Sequence, residues 1–296
     1  MNDPTAPEGS TAAAPPPSEP EPGFTSEMTR LFIVPAAIVL LCLGVFVLFG
    51  LVASEGKTAA DYLAEIRQGS SNRRWQAAYE LSRLLSRDAE KNRQAGVGRE
   101  IASLLADPKI TEPLVRRYLV VALEAVADPA TVPALNSALS DADIEVRLYA
   151  ARALGRIGSR ESVKSLLPLL EEEDPALRKM ALFSLGRIGD RSAAPGIHPR
   201  LDDPVEDVRW NAALSLAALG DGSGAATLRQ MLDTSYLAKV EGITEDQKIE
   251  ARINALQAVY RLKDPSLRGI VEELGRSDPS LRVRDLALKI LKEWSA

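Results

Sequence analysis

Apolar residues follow two different patterns along this chain. The first is an uncharged run of 23 residues, Leu31 to Ala53, which as an α-helix would be about 34 Å long. This length matches a hydrocarbon core of about 30 Å, and a 30-residue acidic segment in front of the run is atypical of a cleaved signal peptide. We therefore predict a single transmembrane helix over residues 31–53.

The second pattern is a helical period that recurs every 31 residues within 61–296. Three segments superpose on Arg147, Arg178 and Arg209: EVRLYAARALGRIG (145–158), ALRKMALFSLGRIG (176–189) and DVRWNAALSLAALG (207–220). Around each arginine, apolar residues occupy positions −1, +3, +4, +7 and +10, which form one face of a helix. The second half of each unit, as in Ser162 to Leu170, carries another such face. Each unit is therefore predicted to be a helical hairpin.

Residues that begin and end helices support these units. Glycines suited to a left-handed C-terminal residue lie at Gly158, Gly189 and Gly220, and Asp-Pro pairs suited to helix starts lie at Asp174–Pro175, Asp203–Pro204 and Asp278–Pro279. The pattern recurs weakly at Arg74, Arg116, Arg252 and Arg284, with insertions near 87–98 and 235–246. About seven hairpins result. Because an amphipathic hairpin cannot bury its apolar face alone, the hairpins are predicted to stack into an all-α solenoid.

The motif in Asp143 to Gly158, D-x-x-V-R-x-x-A-A-x-A-L-G-x-I-G, resembles the short HEAT-like repeat of phycocyanobilin lyase subunits. The resemblance implies a solenoid whose second helices line a concave face. It also implies bonds between the repeated arginine and the turn aspartate of neighbouring units, and thus structural roles for Arg147, Arg178, Arg209 and Asp143. The units at Arg74 and Arg252 depart from the motif, since they lack the valine before the arginine and the glycine at the helix end.

The segment before the apolar run differs in composition from the rest. Residues 1–30 contain seven prolines and five acids, with Arg30 as the single basic residue and no helical or alternating period. We predict a disordered acidic tail there and a short linker over residues 54–60. After residue 30 the chain has 35 basic and 36 acidic residues, a near-neutral balance that disfavours nucleic acid as a partner.

Basic residues also predict the orientation of the span. Arg30 stands alone before it, whereas Lys57, Arg67 and Arg73 follow within about 20 residues. We therefore predict a single-pass protein of the cell (inner) membrane. Its solenoid lies in the cytoplasm and its N-terminal tail lies on the outer side of the membrane.

Catalytic and metal sites find little support in the residue counts. The chain has one cysteine and one histidine, which excludes a disulfide framework and a Cys/His zinc site. Cys42 lies in the predicted span and His198 in the solenoid, so they cannot form a catalytic dyad. No Gly-rich phosphate loop, HExxH or GxSxG motif occurs. We expect no enzymatic activity, no metal, no cofactor and no small-molecule substrate.

The candidate binding residues lie opposite the buried stripe of each second helix. At 100° per residue, positions +2, +5 and +9 after the repeated arginine face away from the core. Over the six units up to Arg252, these eighteen positions include no lysine and no acid, unlike an ordinary solvated face. Aromatic, methionine and arginine side chains are enriched in protein interfaces. The predicted groove for an acidic or apolar segment consists of Tyr118, Tyr149, Arg152, Arg156, Met180, Phe183 and Arg187, with Trp210 at its edge.

Three classes of function fit a solenoid of this kind. The first is a membrane-anchored scaffold or adaptor, such as an accessory subunit of a membrane complex. The second, suggested by the resemblance, is a bilin lyase-like enzyme or chromophore carrier, for which a membrane anchor has no obvious purpose. The third is a nucleic-acid-binding solenoid, which the neutral body disfavours. The scaffold is the predicted function, unless neighbouring helices cover the groove and its arginines are merely solvated.

Overall fold

The computed structural model describes residues 29–53, 57–87 and 96–294, and the chain divides into two units, Met1–Gly56 and Lys57–Ala296. In the first unit, a π-helical turn, Thr29–Ile33, leads into α1, Val34–Ala53. Every side chain from Leu31 to Leu48 is exposed, and this segment is long and apolar enough to cross a membrane. The predicted disordered tail lies, up to Met28, outside the described residues.

In the second unit, the described residues form seven hairpins, each with a first and a second helix. The first helices are α2 (Ala59–Gln68), α4 (Val97–Leu105), α6 (Val132–Ala138), α8 (Val163–Leu166), α10 (Ala194–Ile197), α12 (Ala225–Leu232) and α15 (Arg268–Ser277). The second helices are α3 (Ser71–Arg87), α5 (Pro113–Val126), α7 (Ile144–Ile157), α9 (Pro175–Ile188), α11 (Glu206–Ala218), α14 (Glu245–Leu262) and α16 (Leu281–Trp294). Each second helix packs against the next one, which confirms the predicted all-α solenoid.

The core follows the predicted stripe of the second helices. In α7, positions −1, +3, +4 and +7 are fully buried: Val146, Ala150, Ala151 and Leu154. Buried residues form two sections, and α11 contributes to both, with Leu216 in the first section and Ala213 in the second. The core is therefore continuous through the fifth hairpin.

Most of the predicted helix boundaries are confirmed. Gly158 and Gly189 take the left-handed conformation at the ends of α7 and α9, and Asp174 accepts hydrogen bonds from backbone N–H groups at the start of α9. The Asp203–Pro204 and Asp278–Pro279 pairs do not begin helices, since α11 starts at Glu206 and α16 at Leu281. The Asp203 carboxylate is instead bound by Arg178, as described below.

The first helices of the fourth and fifth hairpins are shorter than predicted. Between Ser162 and Leu170 only one α-helical turn forms, α8, and a 3₁₀ segment, Leu167–Glu171, follows it. Pro168 explains this change because it has no N–H for an i→i−4 hydrogen bond. Pro199 stands at the equivalent place, in the 3₁₀ segment His198–Asp202 that follows α10.

The predicted linker and insertions are only partly visible. The solenoid begins at Ala59, capped by Thr58, so the linker is shorter than the predicted residues 54–60, and residues 54–56 lie outside the described part. Most of the insertion near 87–98 is also outside it. The insertion near 235–246 includes most of an extra helix, α13 (Thr234–Lys239), whose Leu237 is fully buried. The Tyr236 hydroxyl donates to Glu206 at 2.6 Å, so this insertion packs against the start of α11.

Candidate functional site

The repeated arginines fix the register of the second helices. Arg116 donates from Nε to Asp141 at 2.7 Å, and Arg178 donates from Nε and Nη2 to Asp203 at 2.9 Å. The arginine of the following repeat then donates to the backbone carbonyl of the same aspartate, as Arg209 does to Asp203 at 2.7 Å. The loop that carries each such aspartate is thus held by two successive repeats.

Asp143 has a structural role, but its arginine partner differs from the expected one. Its carboxylate accepts from Nε and Nη2 of Arg117 at 2.9 and 2.6 Å, and from the N–H of Val146 at the start of α7. The Arg117 guanidinium holds the pKa of the Asp143 carboxyl below its ordinary value. The repeated arginine, Arg116, binds Asp141 instead.

Seven of the eight predicted binding residues lie on one surface, which we call the second-helix face: the residues at positions +2, +5 and +9 of α3, α5, α7, α9, α11 and α14. On this face, Phe183 is 44% exposed and Tyr79 is 38% exposed. Tyr118, Tyr149, Arg152 and Met180 are half-buried, and Arg156 and Arg187 are exposed. Neighbouring helices therefore leave these side chains accessible.

Trp210 is the exception. It is only 6% exposed and belongs to the second section of the core, so the prediction that it extends the groove is wrong. The extra helix α13 and the long α14 follow α11, and their apolar residues, such as Tyr236 and Ile253, pack on the core section that contains Trp210.

Arginines lie beside aromatic rings on the second-helix face. The guanidinium of Arg152 lies 5.0 Å from the centre of the Tyr149 ring, and that of Arg187 lies 5.8 Å from the Phe183 ring. Burial raises the pKa of the Tyr149 hydroxyl, and the nearby Glu145 carboxylate raises it further, so this tyrosine is neutral at physiological pH. The face therefore offers flat apolar surfaces edged with positive charge.

Glu124 is the residue of this surface that the sequence pattern missed. It lies at position +8 of α5, and its carboxylate accepts three hydrogen bonds of 2.6 to 3.0 Å from Arg152 on α7. The charge of Arg152 is therefore already compensated. Arg83 on α3 is likewise paired, with Glu80 at 3.1 Å.

Two depressions lie along the second-helix face. One, of about 460 Å³, is lined by residues of α3 and α5, including Tyr79, Tyr118 and Val121. The other, of about 520 Å³, crosses α9, α11 and α14. Its lining includes Phe183, Arg187, Asn211, Leu214, Ala218, Asn254, Gln257 and Arg261. This second depression, called the α9–α14 groove below, lies further towards the C-terminus than most of the predicted binding residues.

A histidine, an aspartate and a serine meet elsewhere in the solenoid. Nε2 of His198 lies 2.9 Å from Asp221 and 3.3 Å from the hydroxyl of Ser223. A catalytic triad needs the aspartate and the serine on opposite ring nitrogens, whereas here both contact Nε2. The three residues join neighbouring repeats but do not have triad geometry. Within the described ranges, no group of three or more His, Cys, Asp or Glu side chains could hold a metal ion.

Comparisons with known proteins agree with this architecture. The family described as HEAT repeats matches residues 100–173 and 163–242. No curated protein matches the chain at a significant level. Similar solved structures include the complex of CpcE and CpcF of phycocyanin lyase from Nostoc sp. PCC7120, at 20% identity and a TM-score of 0.53, covering 82% of this chain and 91% of that chain. They also include YibA of Escherichia coli, at 17% identity and a TM-score of 0.53, covering 80% of this chain and 82% of that chain.

At these identities, the solved structures show the fold alone. Seven stacked hairpins define an α-solenoid, and arginine–aspartate ion pairs join the second to the third, the fourth to the fifth and the sixth to the seventh. The HEAT-repeat family matches residues 100–242, so the repeats in that range are similar to HEAT repeats, and an apolar helix precedes them in the sequence. The resemblance to the short repeats of phycocyanobilin lyase subunits is thereby confirmed at the level of fold.

Proposed function

We propose that this protein is a membrane-anchored scaffold that binds a partner protein through the second-helix face. The observation that carries the proposal is the row of accessible aromatic, methionine and arginine side chains on successive second helices. Tyr79 on the second helix of the first hairpin and Phe183 on the second helix of the fourth both keep apolar surface in contact with solvent. Burying such surface is what a protein partner would gain.

The apolar helix α1 provides the anchor in this proposal. Its side chains from Leu31 to Leu48 are exposed, so burial in a bilayer would remove them from water. One basic residue before the span and three soon after it favour a cytoplasmic solenoid and an external tail. Tethering raises the concentration of the binding face near membrane complexes, so a modest affinity suffices for function.

Photo-crosslinking in native membranes tests the scaffold function. A photoreactive amino acid replaces Tyr149 or Phe183 in the full chain. The matched control replaces Lys164, which is exposed on α8 of the same hairpin as Phe183. We expect the two face positions to capture one defined protein that the Lys164 position does not. Equal and diffuse capture at all three positions would contradict binding through this face.

A further inference from the structure

Charge is distributed unevenly along the second-helix face. At its N-terminal end, Arg83 is paired with Glu80, and Arg152 is paired with Glu124. Further along, position +9 of α7, α9 and α14 carries exposed arginines that form no ion pair with any described residue: Arg156, Arg187 and Arg261. Two of these three arginines, Arg187 and Arg261, lie in the C-terminal half of the face.

The α9–α14 groove lies within this half. Its lining includes the apolar side chains of Phe183 on α9 and Leu214 on α11, and Leu214 stands on the helix between those that carry Arg187 and Arg261. No acidic side chain is among the residues that line it. The groove therefore favours a ligand with negative charge at two places and an apolar side chain between them.

Side-chain amides in the groove match the needs of an extended backbone. Asn254 and Gln257 are exposed on α14, and Asn211 on α11 donates to its own helix at Asp207, which leaves its carbonyl oxygen as an acceptor. A helix already satisfies its own N–H and C=O groups, whereas an extended segment presents them for binding. These amides therefore favour an extended segment over a helix.

We propose that the α9–α14 groove binds an extended acidic segment of the partner, an inference that rests on the proposed scaffold function. Carboxylates of the segment pair with Arg187 and Arg261 in the groove and with Arg156 on the preceding second helix, α7, and an apolar side chain lies beside Leu214. Neighbouring helices pack about 8–10 Å apart and an extended chain advances about 3.3 Å per residue. The first two acids of the segment are therefore about three residues apart, and the third follows about six residues later.

Peptide binding to the full chain in phosphatidylcholine nanodiscs tests this inference. The probe is a fluorescent peptide with aspartates at the two spacings above and a leucine between the second and third. We expect it to bind more tightly than the same peptide with asparagines. Arg187→Gln and Arg261→Gln should each weaken binding about three- to fivefold, the effect of an accessible ion pair. Added salt should reduce the difference.

Arg276→Gln is the matched control, because Arg276 is an exposed arginine paired with Glu272 on α15, a first helix outside the second-helix face. It should leave the affinity for the peptide unchanged. Circular dichroism of each variant checks that the helices persist. Equal binding of the aspartate and asparagine peptides, or an equal effect of all three substitutions, would overturn the acidic-segment proposal. Tighter binding of phosphatidylserine vesicles than of the peptide would overturn it as well.

The two proposals can fail separately. The fragment crosslinked at Phe183 is identified by mass spectrometry. A single captured protein whose crosslinked segment is neutral or basic would leave the scaffold function standing and overturn the acidic-segment proposal. Diffuse capture would contradict the scaffold function, whatever the peptides do.

Discussion

Arg178 of the fourth repeat and Asp203 of the fifth form a buried ion pair, with two hydrogen bonds of 2.9 Å. Removal of Arg178 would leave the buried Asp203 carboxylate with only a longer ion contact, to Arg200 at 3.9 Å. We expect Arg178→Met to lower the free energy of unfolding by about 3–5 kcal/mol in denaturant titrations of the full chain in detergent. Arg282→Gln is the control, since Arg282 pairs with Glu250 at 2.8 Å but both side chains are at least half exposed. That change should cost less than about 1 kcal/mol, and equal losses would contradict the structural role of the buried pair.

The same carboxylate makes stability depend on pH. Burial alone would raise the pKa of Asp203, but hydrogen bonds from Arg178 and from the N–H of Val205 outweigh it, and the net pKa is lowered. As the pH falls, the unfolded chain takes up this proton first. The contribution to stability is therefore complete above the unfolded pKa of about 4 and is lost as the pH falls through the lower pKa of the folded state.

Asp203→Asn should consequently show a shallower loss of stability between neutral and acidic pH than the unaltered chain. Thermal unfolding followed by circular dichroism across this range measures the difference. Asp202→Asn, at the exposed neighbouring position, is the control for an added amide in the same loop. An unchanged pH profile for Asp203→Asn would contradict the assignment.

A close approach between α7 and α9 depends on a glycine. A Cβ at Gly155 would lie 2.8 Å from the backbone Cα and the side chain of Ser184, whose hydroxyl donates to the carbonyl of Ala151 at 2.8 Å. We expect Gly155→Ala to destabilise the protein by roughly 1–3 kcal/mol, because the helices must move apart. Gly269→Ala is the control, since nothing lies within 4 Å of a Cβ there. Similar unfolding midpoints for both variants would argue against a tight helix contact.

Local sequence signals predicted the repeat architecture because each depends on residues close in the chain. The helical spacing of apolar residues within each unit, the left-handed Gly158 and the capping Asp174 are all of this kind. The start of α11 was mispredicted because Asp203 is held by a residue 25 positions earlier in the chain, Arg178. A local turn signal carries no information about such a partner.

The sequence pattern predicted which residues lie on the accessible face, but not which of its arginines are paired with acids. Helical periodicity placed Phe183 and Arg187 on an accessible face, whereas the pairing of Arg152 with Glu124 depends on how two repeats are aligned. Trp210 was misplaced because position +1 lies between the buried and exposed sides of the helix. Trp210 is buried in the core section on which apolar residues of the 235–246 insertion also pack.

That insertion should itself contribute to stability. Leu237 of α13 is fully buried in the second section of the core. We expect Leu237→Ala to lower the free energy of unfolding by about 2–5 kcal/mol. Lys239→Ala, at an exposed position of the same helix, should have little effect. If both substitutions are neutral in denaturant titrations, α13 does not pack on the solenoid in solution.

The membrane orientation can be tested with single cysteines, because Cys42 is the only native one. In a Cys42→Ser background, Arg276→Cys places a thiol on α15, where the arginine side chain is 76% exposed. Ser10→Cys places one in the N-terminal segment. If the basic residues after the span keep the solenoid in the cytoplasm, a membrane-impermeant maleimide will label the Ser10→Cys chain in intact cells. The Arg276→Cys chain will be labelled only after the membrane is permeabilised. The reverse pattern would place the second-helix face outside the cytoplasm, and labelling of both positions in intact cells would contradict a spanning α1.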